Sequence, residues 1–262
     1  MKRLRSDSAD KRATAINDNK EDEDGEVEES PLDAIQSQII SALTTAEHHA
    51  LVEKPLAFAL KEPLIEGMLL EFGVFSGKTI NMMAAAHPHQ QVHGFDTFTG
   101  LPEDWRPGFP KGTVRSLHDC YLIAPQWQKF STAGKLPQVL DNVALHVGLF
   151  EDTLVPFLDE HAGTVALVHL DADLYSATRY VLRTLALASR LVDGTVLVFD
   201  ELINYKGWRQ GEFKALAEVL LEFRYEWQWL AQSAVLELEP VLDIATAQQV
   251  ALRLLLPHTR TT

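Results

Sequence analysis

The sequence predicts a doubly wound α/β fold, a mostly parallel sheet with a C-terminal antiparallel hairpin, and two observations predict it. Short apolar runs alternate with stretches of helical periodicity through the middle of the chain, and the last two apolar runs, Arg224 to Ala231 and Gln248 to Leu256, have no strong helical pattern between them. Alternating strand and helix units require right-handed crossovers, which lay helices on both faces of a parallel sheet. Two successive strands without a crossover helix pair antiparallel as a hairpin.

Taken in order, the elements begin with Ile35, Ile39, Ile40 and Leu43, then less regularly Leu51, Leu56 and Phe58, whose spacing predicts two helices between Leu32 and Leu60 that cap the sheet or the site. A strand Gly67 to Phe72 follows, then a helix near Thr79 to Ala86 and strands Gln91 to Phe95 and Val143 to Val147. A helix near Thr153 to Glu160, a strand Val165 to Leu170 and a helix near Ser176 to Ser189 continue the rhythm. Strand Gly194 to Phe199 and a helix near Gln210 to Glu222 complete it before the hairpin. The stretch from about 102 to 139 is too long for an ordinary connection and reads as a lid-like insertion. Its rings, Trp105, Phe109, Tyr121, Trp127 and Phe130, either stack on a bound ring or sugar or simply pack the insertion onto the domain, and Trp208 on the opposite loop has the same two readings.

The chain of 262 residues suits one large domain, residues 32–262, preceded by a tail. Residues 1–31 carry six Lys or Arg and ten Asp or Glu with almost no large apolar residue, the composition of a disordered acidic extension. The remainder is apolar enough for a core, 46% of the whole chain being hydrophobic. A net charge of −14 opposes nucleic-acid phosphates and anionic lipid, so neither is expected as a partner. Cys120 is the single cysteine, which rules out an internal disulfide and a thiolate zinc site. No apolar stretch has the length of a membrane helix, and the basic start runs into Ser, Asp and Lys where a signal peptide needs an apolar core. A cytoplasmic location is expected.

Chemistry concentrates at strand ends. The run Leu69 to Thr79 reads as a buried strand ending in Glu71, a tight turn with Gly73, Ser76 and Gly77, and the first turn of a helix. The two glycines allow backbone to approach a ligand where a Cβ would collide. Asp96 ends the next strand, 23 residues after Gly73, where a carboxylate can accept hydrogen bonds from both hydroxyls of a ribose; its competing role is a turn cap before Thr97. A nicotinamide cofactor, whose pyrophosphate sits on a helix amino end, favours a third glycine that the loop lacks. S-adenosylmethionine has no phosphate and carries a sulfonium and an ammonium, which suit a strand-end glutamate. Gly148 and Phe150, after the Val143 strand, are candidates for the adenine wall. The competing classes are a nicotinamide-dependent oxidoreductase and a non-catalytic cofactor-binding protein.

A second group of acids follows two further strands, Asp171 and Asp173 after Val165 to Leu170, and Asp200 and Glu201 after Val196 to Phe199. Acids crowded at the carboxyl ends of neighbouring strands repel one another, and a divalent cation is the simplest remedy. Oxygen-only donors favour Mg²⁺. The expected ligands are Asp171, Asp200 and Glu201; the alternative is that Asp173 and Glu201 cap the helices that follow. Asp171 is also the expected base for a metal-bound substrate hydroxyl, with His169 either a second base or a satisfied core histidine.

Three segments, Glu71 to Gly77, Gly94 to Pro102 and His169 to Thr178, together with Phe199-Asp200-Glu201 and the later Gly207-Trp208-Arg209-Gln210-Gly211-Glu212, resemble the macrocin O-methyltransferase family over about residues 65 to 256. The resemblance implies a class I, S-adenosylmethionine-dependent and usually Mg²⁺-dependent enzyme with a Rossmann-like sheet. It implies transfer of a methyl group to a hydroxyl of a small-molecule acceptor, often a sugar of a natural product, and frequent homo-oligomers. Members often have Asp-Asp where this chain has Asp200-Glu201.

Overall fold

The computed structural model describes residues 29–45, 49–104, 111, 134–240 and 244–256. The acidic tail up to residue 28, Cys120 and the insertion rings Trp105, Phe109, Tyr121, Trp127 and Phe130 lie outside the described residues. In chain order the elements are α1 (Pro31–Thr45), β1 (Ala50–Leu51), α2 (Pro55–Ala59), β2 (Met68–Phe72), α3 (Lys78–Ala86), β3 (Val92–Asp96), β4 (Val143–Val147) and α4 (Phe150–Glu160). There follow β5 (Val165–Leu170), α5 (Tyr175–Leu187), β6 (Val196–Phe199), α6 (Glu212–Phe223), β7 (Glu226–Gln232) and β8 (Val250–Leu255).

The eight strands form one sheet in the order β1-β7-β8-β6-β5-β2-β3-β4. Only β8 runs against its neighbours; it lies between β6 and β7 and pairs antiparallel with both. The remaining pairs are parallel. The expected hairpin is therefore present as β7 and β8. From β2 the chain steps outward through β3 and β4, then crosses back to β5 and continues to β6 on the other side, so the strand order reverses between β2 and β5. Open α/β sheets bind their ligands at that reversal, outside the carboxyl ends of the strands.

Burial on both faces follows from the two-residue period of a strand. In β6, Leu197 and Phe199 join the apolar layer under α1, α4, α5 and α6, whereas Val196 and Val198 join the layer under α2 and α3. β5 is buried along its whole length, His169 included. A polar residue there survives only with a partner, as its contact with Glu71 illustrates below.

Two sequence expectations are amended and one alternative, that of Trp208, is resolved in favour of packing. The second N-terminal helix is reduced to α2, with Pro55 at its first turn, and is preceded by a two-residue edge strand in which Ala50 and Leu51 pair with Ala231 and Gln232 of β7. The irregular apolar spacing after Leu43 reflects this change of element. Helix α4 starts at Phe150, a turn earlier than its apolar period suggests, because Glu151 and Asp152 favour its positive amino end. Trp208 does not face a bound ring: it is 2% exposed and packs edge-on against Phe213, with ring centroids 4.6 Å apart.

Candidate active site

The carboxyl ends of β2, β3, β5 and β6 open into a cavity of about 1290 Å³, lined by Gly73 to Ser76, Asp96 to Phe98, Leu149 to Glu151, His169, Asp171 to Leu174, Asp200, Glu201 and Gln249. Two halves can be distinguished. One is built around Asp96. Its Oδ2 accepts the backbone N–H groups of Val74 and Phe75, each at 2.8 Å, and its Oδ1 accepts that of Phe98 at 2.7 Å. The capping role weighed from sequence is thus real, and it extends to the glycine turn of the neighbouring strand. A carboxylate has about four acceptor positions, so one remains for a ligand hydroxyl.

The glycines answer mainly to the protein's own chain. Gly73 has φ +95°, and a Cβ on it would sit 1.9 Å from the carbonyl oxygen of Asp171. Gly77 is the left-handed residue before α3, and its Cβ would meet the Pro137 ring at 3.1 Å. Gly73 and Ser76 line the cavity; Gly77, Gly148 and Glu71 do not. Gly148 instead donates its N–H to the Asp96 carbonyl oxygen at 3.0 Å, which turns the chain so that Leu149 and Phe150 reach the cavity wall. Phe150 is held edge-on to Phe72 at 5.3 Å. Phe75, Phe98 and Asp173 all have positive φ and all line the cavity, a clustering of backbone strain that favours functional rims.

The other half is acidic. Asp171, Asp200 and Glu201 each present a carboxylate oxygen, and these lie within 4.8 Å of one another. β5 and β6 bring them together because they are paired neighbours that end in step, Leu170 opposite Phe199. Asp200 and Glu201 are 7% and 0% exposed. Burial, and then the charges of Asp200, Glu201, Asp173 and Glu71, push the Asp171 carboxyl well above the usual range. Among the described residues the cavity lining carries eight carboxylates against the two exposed lysines Lys54 and Lys78, so the excess charge is not neutralised from within it. A small hard cation held by three oxygens would relieve this repulsion, and the donor set has no nitrogen or sulfur to prefer a softer metal.

Glu71, expected to meet the cofactor, is paired with His169. Its Oε1 lies 2.8 Å from His169 Nδ1, with both side chains buried. Burial raises the Glu71 carboxyl above its usual range despite this contact. His169 is the partnered core residue weighed from sequence, and it also lines the cavity.

Three polar residues at the acidic end escaped the sequence reading. Gln249, just before β8, donates through Nε2 to Asp200 Oδ1. Thr178 on α5 donates to Glu212 Oε1 at 2.9 Å, and the backbone N–H of Glu201 donates to Glu212 Oε2 at 3.4 Å. Burial raises the Glu212 carboxyl to about 8. The motif Gly207 to Glu212 contained the only available signal for Glu212, and nothing in it shows that the acid turns back beneath Glu201.

A doubly wound sheet with one antiparallel strand near its edge, a two-glycine turn after β2 and an acid ending β3 are features shared with class I S-adenosylmethionine-dependent methyltransferases. The chain belongs to the macrocin-O-methyltransferase (TylF) family, whose model matches residues 43–220, and is an S-adenosylmethionine-dependent O-methyltransferase. This membership decides against the nicotinamide-dependent and non-catalytic readings. Solved structures similar to it include CalS11, a TDP-rhamnose 3'-O-methyltransferase of calicheamicin biosynthesis, at 24% identity over 84% of this chain and 79% of that one, with a TM-score of 0.43. TomG of Streptomyces achromogenes, an O-methyltransferase of tomaymycin synthesis, matches at 17% identity over 85% and 90% of the two chains, with a TM-score of 0.43. An O-methyltransferase from Bacillus cereus matches at 14% identity over 86% and 91%, with a TM-score of 0.42. No curated protein gives a significant match. Among the described residues no helix is long and apolar enough to cross a membrane.

Proposed function

We propose that this enzyme methylates a hydroxyl of a small molecule, a sugar or another natural product, with Mg²⁺ held by Asp171, Asp200 and Glu201. The observation that carries this reading is the meeting of those three carboxylates within 4.8 Å at one end of a cavity whose other end is organised by Asp96. At about 1290 Å³ the cavity exceeds the roughly 300–1,000 Å³ of a pocket for one small ligand, leaving room for a methyl donor and an acceptor together.

Within that cavity the residues divide the work. Asp96 offers its remaining acceptor position to a ribose hydroxyl, Gly73 to Ser76 bring backbone alongside the donor, and Leu149 and Phe150 form an apolar wall for the adenine. When bound, Mg²⁺ supplies charge that offsets the acids and lowers the pKa of an acceptor hydroxyl. Asp171, at the acidic end of the cavity beside the acceptor, takes the proton from that hydroxyl. Glu71 fixes the ring of His169, which serves as the second candidate for the same proton. Exclusion of water by the buried strand ends strengthens each of these interactions.

The test is a radiolabelled methyl-transfer screen of glycosides and phenols with Mg²⁺ and after exhaustive EDTA treatment. The reading expects product with at least one hydroxylated acceptor and its loss in EDTA with recovery on adding Mg²⁺. Full activity without a divalent ion would sink the metal assignment while leaving the methyltransferase intact.

A further inference from the structure

The family-like motif Gly207 to Glu212 touches no part of the cavity, yet its residues are tightly fixed. Gly211 faces the Tyr205 hydroxyl so closely that a Cβ would lie 2.0 Å from its oxygen. Trp208 is locked into the core, and the segment places Glu212 as the first residue of α6, fully buried. A carboxyl in such a place is costly and needs partners. Its two oxygens are used on different elements, Oε1 by the Thr178 hydroxyl of α5 and Oε2 by the main-chain N–H of Glu201. Apolar packing does not require an acid there, since Phe213, Leu216 and Ala217 beside it are hydrocarbon.

We propose that Glu212 is a positioning residue for the metal-binding acid Glu201: by accepting the Glu201 main-chain N–H it ties the strand-end turn of β6 to α5 and α6 and fixes where the Glu201 carboxylate stands. The proposal rests on the assignment of Asp171, Asp200 and Glu201 as Mg²⁺ ligands. Residues behind metal ligands commonly set affinity by orienting them.

The test is titration with Mn²⁺, as the probe for the Mg²⁺ site, followed by the electron paramagnetic resonance signal of the free ion. It uses the full chain as the parent and as Glu212→Gln, Glu212→Leu and Thr178→Val. Glu212→Gln keeps an acceptor for Glu201 and a donor for Thr178, and should bind Mn²⁺ within about twofold of the parent. Glu212→Leu should bind it about tenfold more weakly. Its melting temperature is measured alongside: a merely structural acid would lower the melting temperature on removal and leave the Mn²⁺ affinity of the folded protein unchanged. S-adenosylhomocysteine affinity, read by calorimetry, should be the same in all four proteins. Parent-like Mn²⁺ affinity in folded Glu212→Leu overturns the proposal. Should that variant not fold, Thr178→Val decides, weaker Mn²⁺ binding supporting the proposal and parent-like binding overturning it. A parent that binds no Mn²⁺ overturns the metal assignment and this inference with it, an outcome distinct from a parent that binds and variants that bind equally.

Discussion

Asp96 and Asp171 end β3 and β5, the two strands that flank β2, and they stand in opposite circumstances. Asp96 is satisfied: three backbone N–H groups converge on its carboxylate, and through them it shapes the turn after β2 as well as its own. Asp171 receives no hydrogen bond to its carboxylate from a described residue and faces Asp200, Glu201 and Asp173. One half of the cavity is therefore complete as folded, and the other is folded at an electrostatic cost that a ligand must relieve. The difference teaches that a strand-end acid can serve by organising backbone or by withholding charge compensation, and that the same crevice uses both.

The largest expected effect falls on the strained half. Asp171→Ala should lower kcat by about 10³-fold or more, in the range for loss of a general base, while S-adenosylhomocysteine affinity stays within about threefold of the parent. Calorimetry and initial rates measured on the same preparation check this, and a large loss of cofactor affinity in that variant would erase the division between the halves. Asp96→Ala should do the converse, weakening S-adenosylhomocysteine about 100-fold and destabilising the fold by about 3 kcal/mol, because three backbone donors lose their acceptor. Urea unfolding beside the binding titration would detect both consequences.

A pH series sharpens the contrast. Asp171 and Glu212 have folded pKa values raised by burial, Glu212 to about 8 from 4.5. Both bind more protons folded than unfolded near neutrality; for Glu212 the stability it adds is whole below about 4.5 and is lost as pH rises through about 8. In EDTA the chain should become less stable across that interval, and Glu212→Gln should flatten the decline.

The smallest expected effect lies outside the cavity, where His93, His146 and His161 cluster around Phe157, with His93 Nδ1 3.2 Å from His146 Nε2. Burial and then the neighbouring imidazoles lower the His93 pKa from 6.5 to about 4. A lowered histidine stays neutral in the fold but charges in the unfolded chain, so its contribution is whole above 6.5 and is lost as pH falls toward 4. His93→Phe should remove about 2 kcal/mol of that acid-side loss. The acid-side decline seen in urea titrations should therefore separate from the alkaline-side decline, which this substitution leaves in place.

Much of the site was legible because strand-end acids stand beside their strands in the sequence: Asp96, Asp171, Asp200 and Glu201 all follow apolar runs that end at the same side of a parallel sheet. Illegible were contacts made by residues whose own local pattern describes something else. Glu71 has the position of a cofactor ligand, but β2 and β5 pair so that Glu71 stands opposite His169. Trp208 sits among polar residues, and only the packing of α6 reveals that its ring is core. Gln249 has no local pattern that predicts its contact with Asp200.

By itself, then, the sequence determined the doubly wound fold, the closing hairpin, the family and the acids that end the strands, because periodicity and strand ends are local and each strand's hydrophobic run fixes its own register. Tertiary structure alone decided which of those acids meet, which glycines serve the chain itself, and that Glu212 lies beneath Glu201. Those outcomes depend on how strands and helices distant in sequence are paired and packed, and a carboxylate's role is set by the donors and charges that such pairing brings within reach.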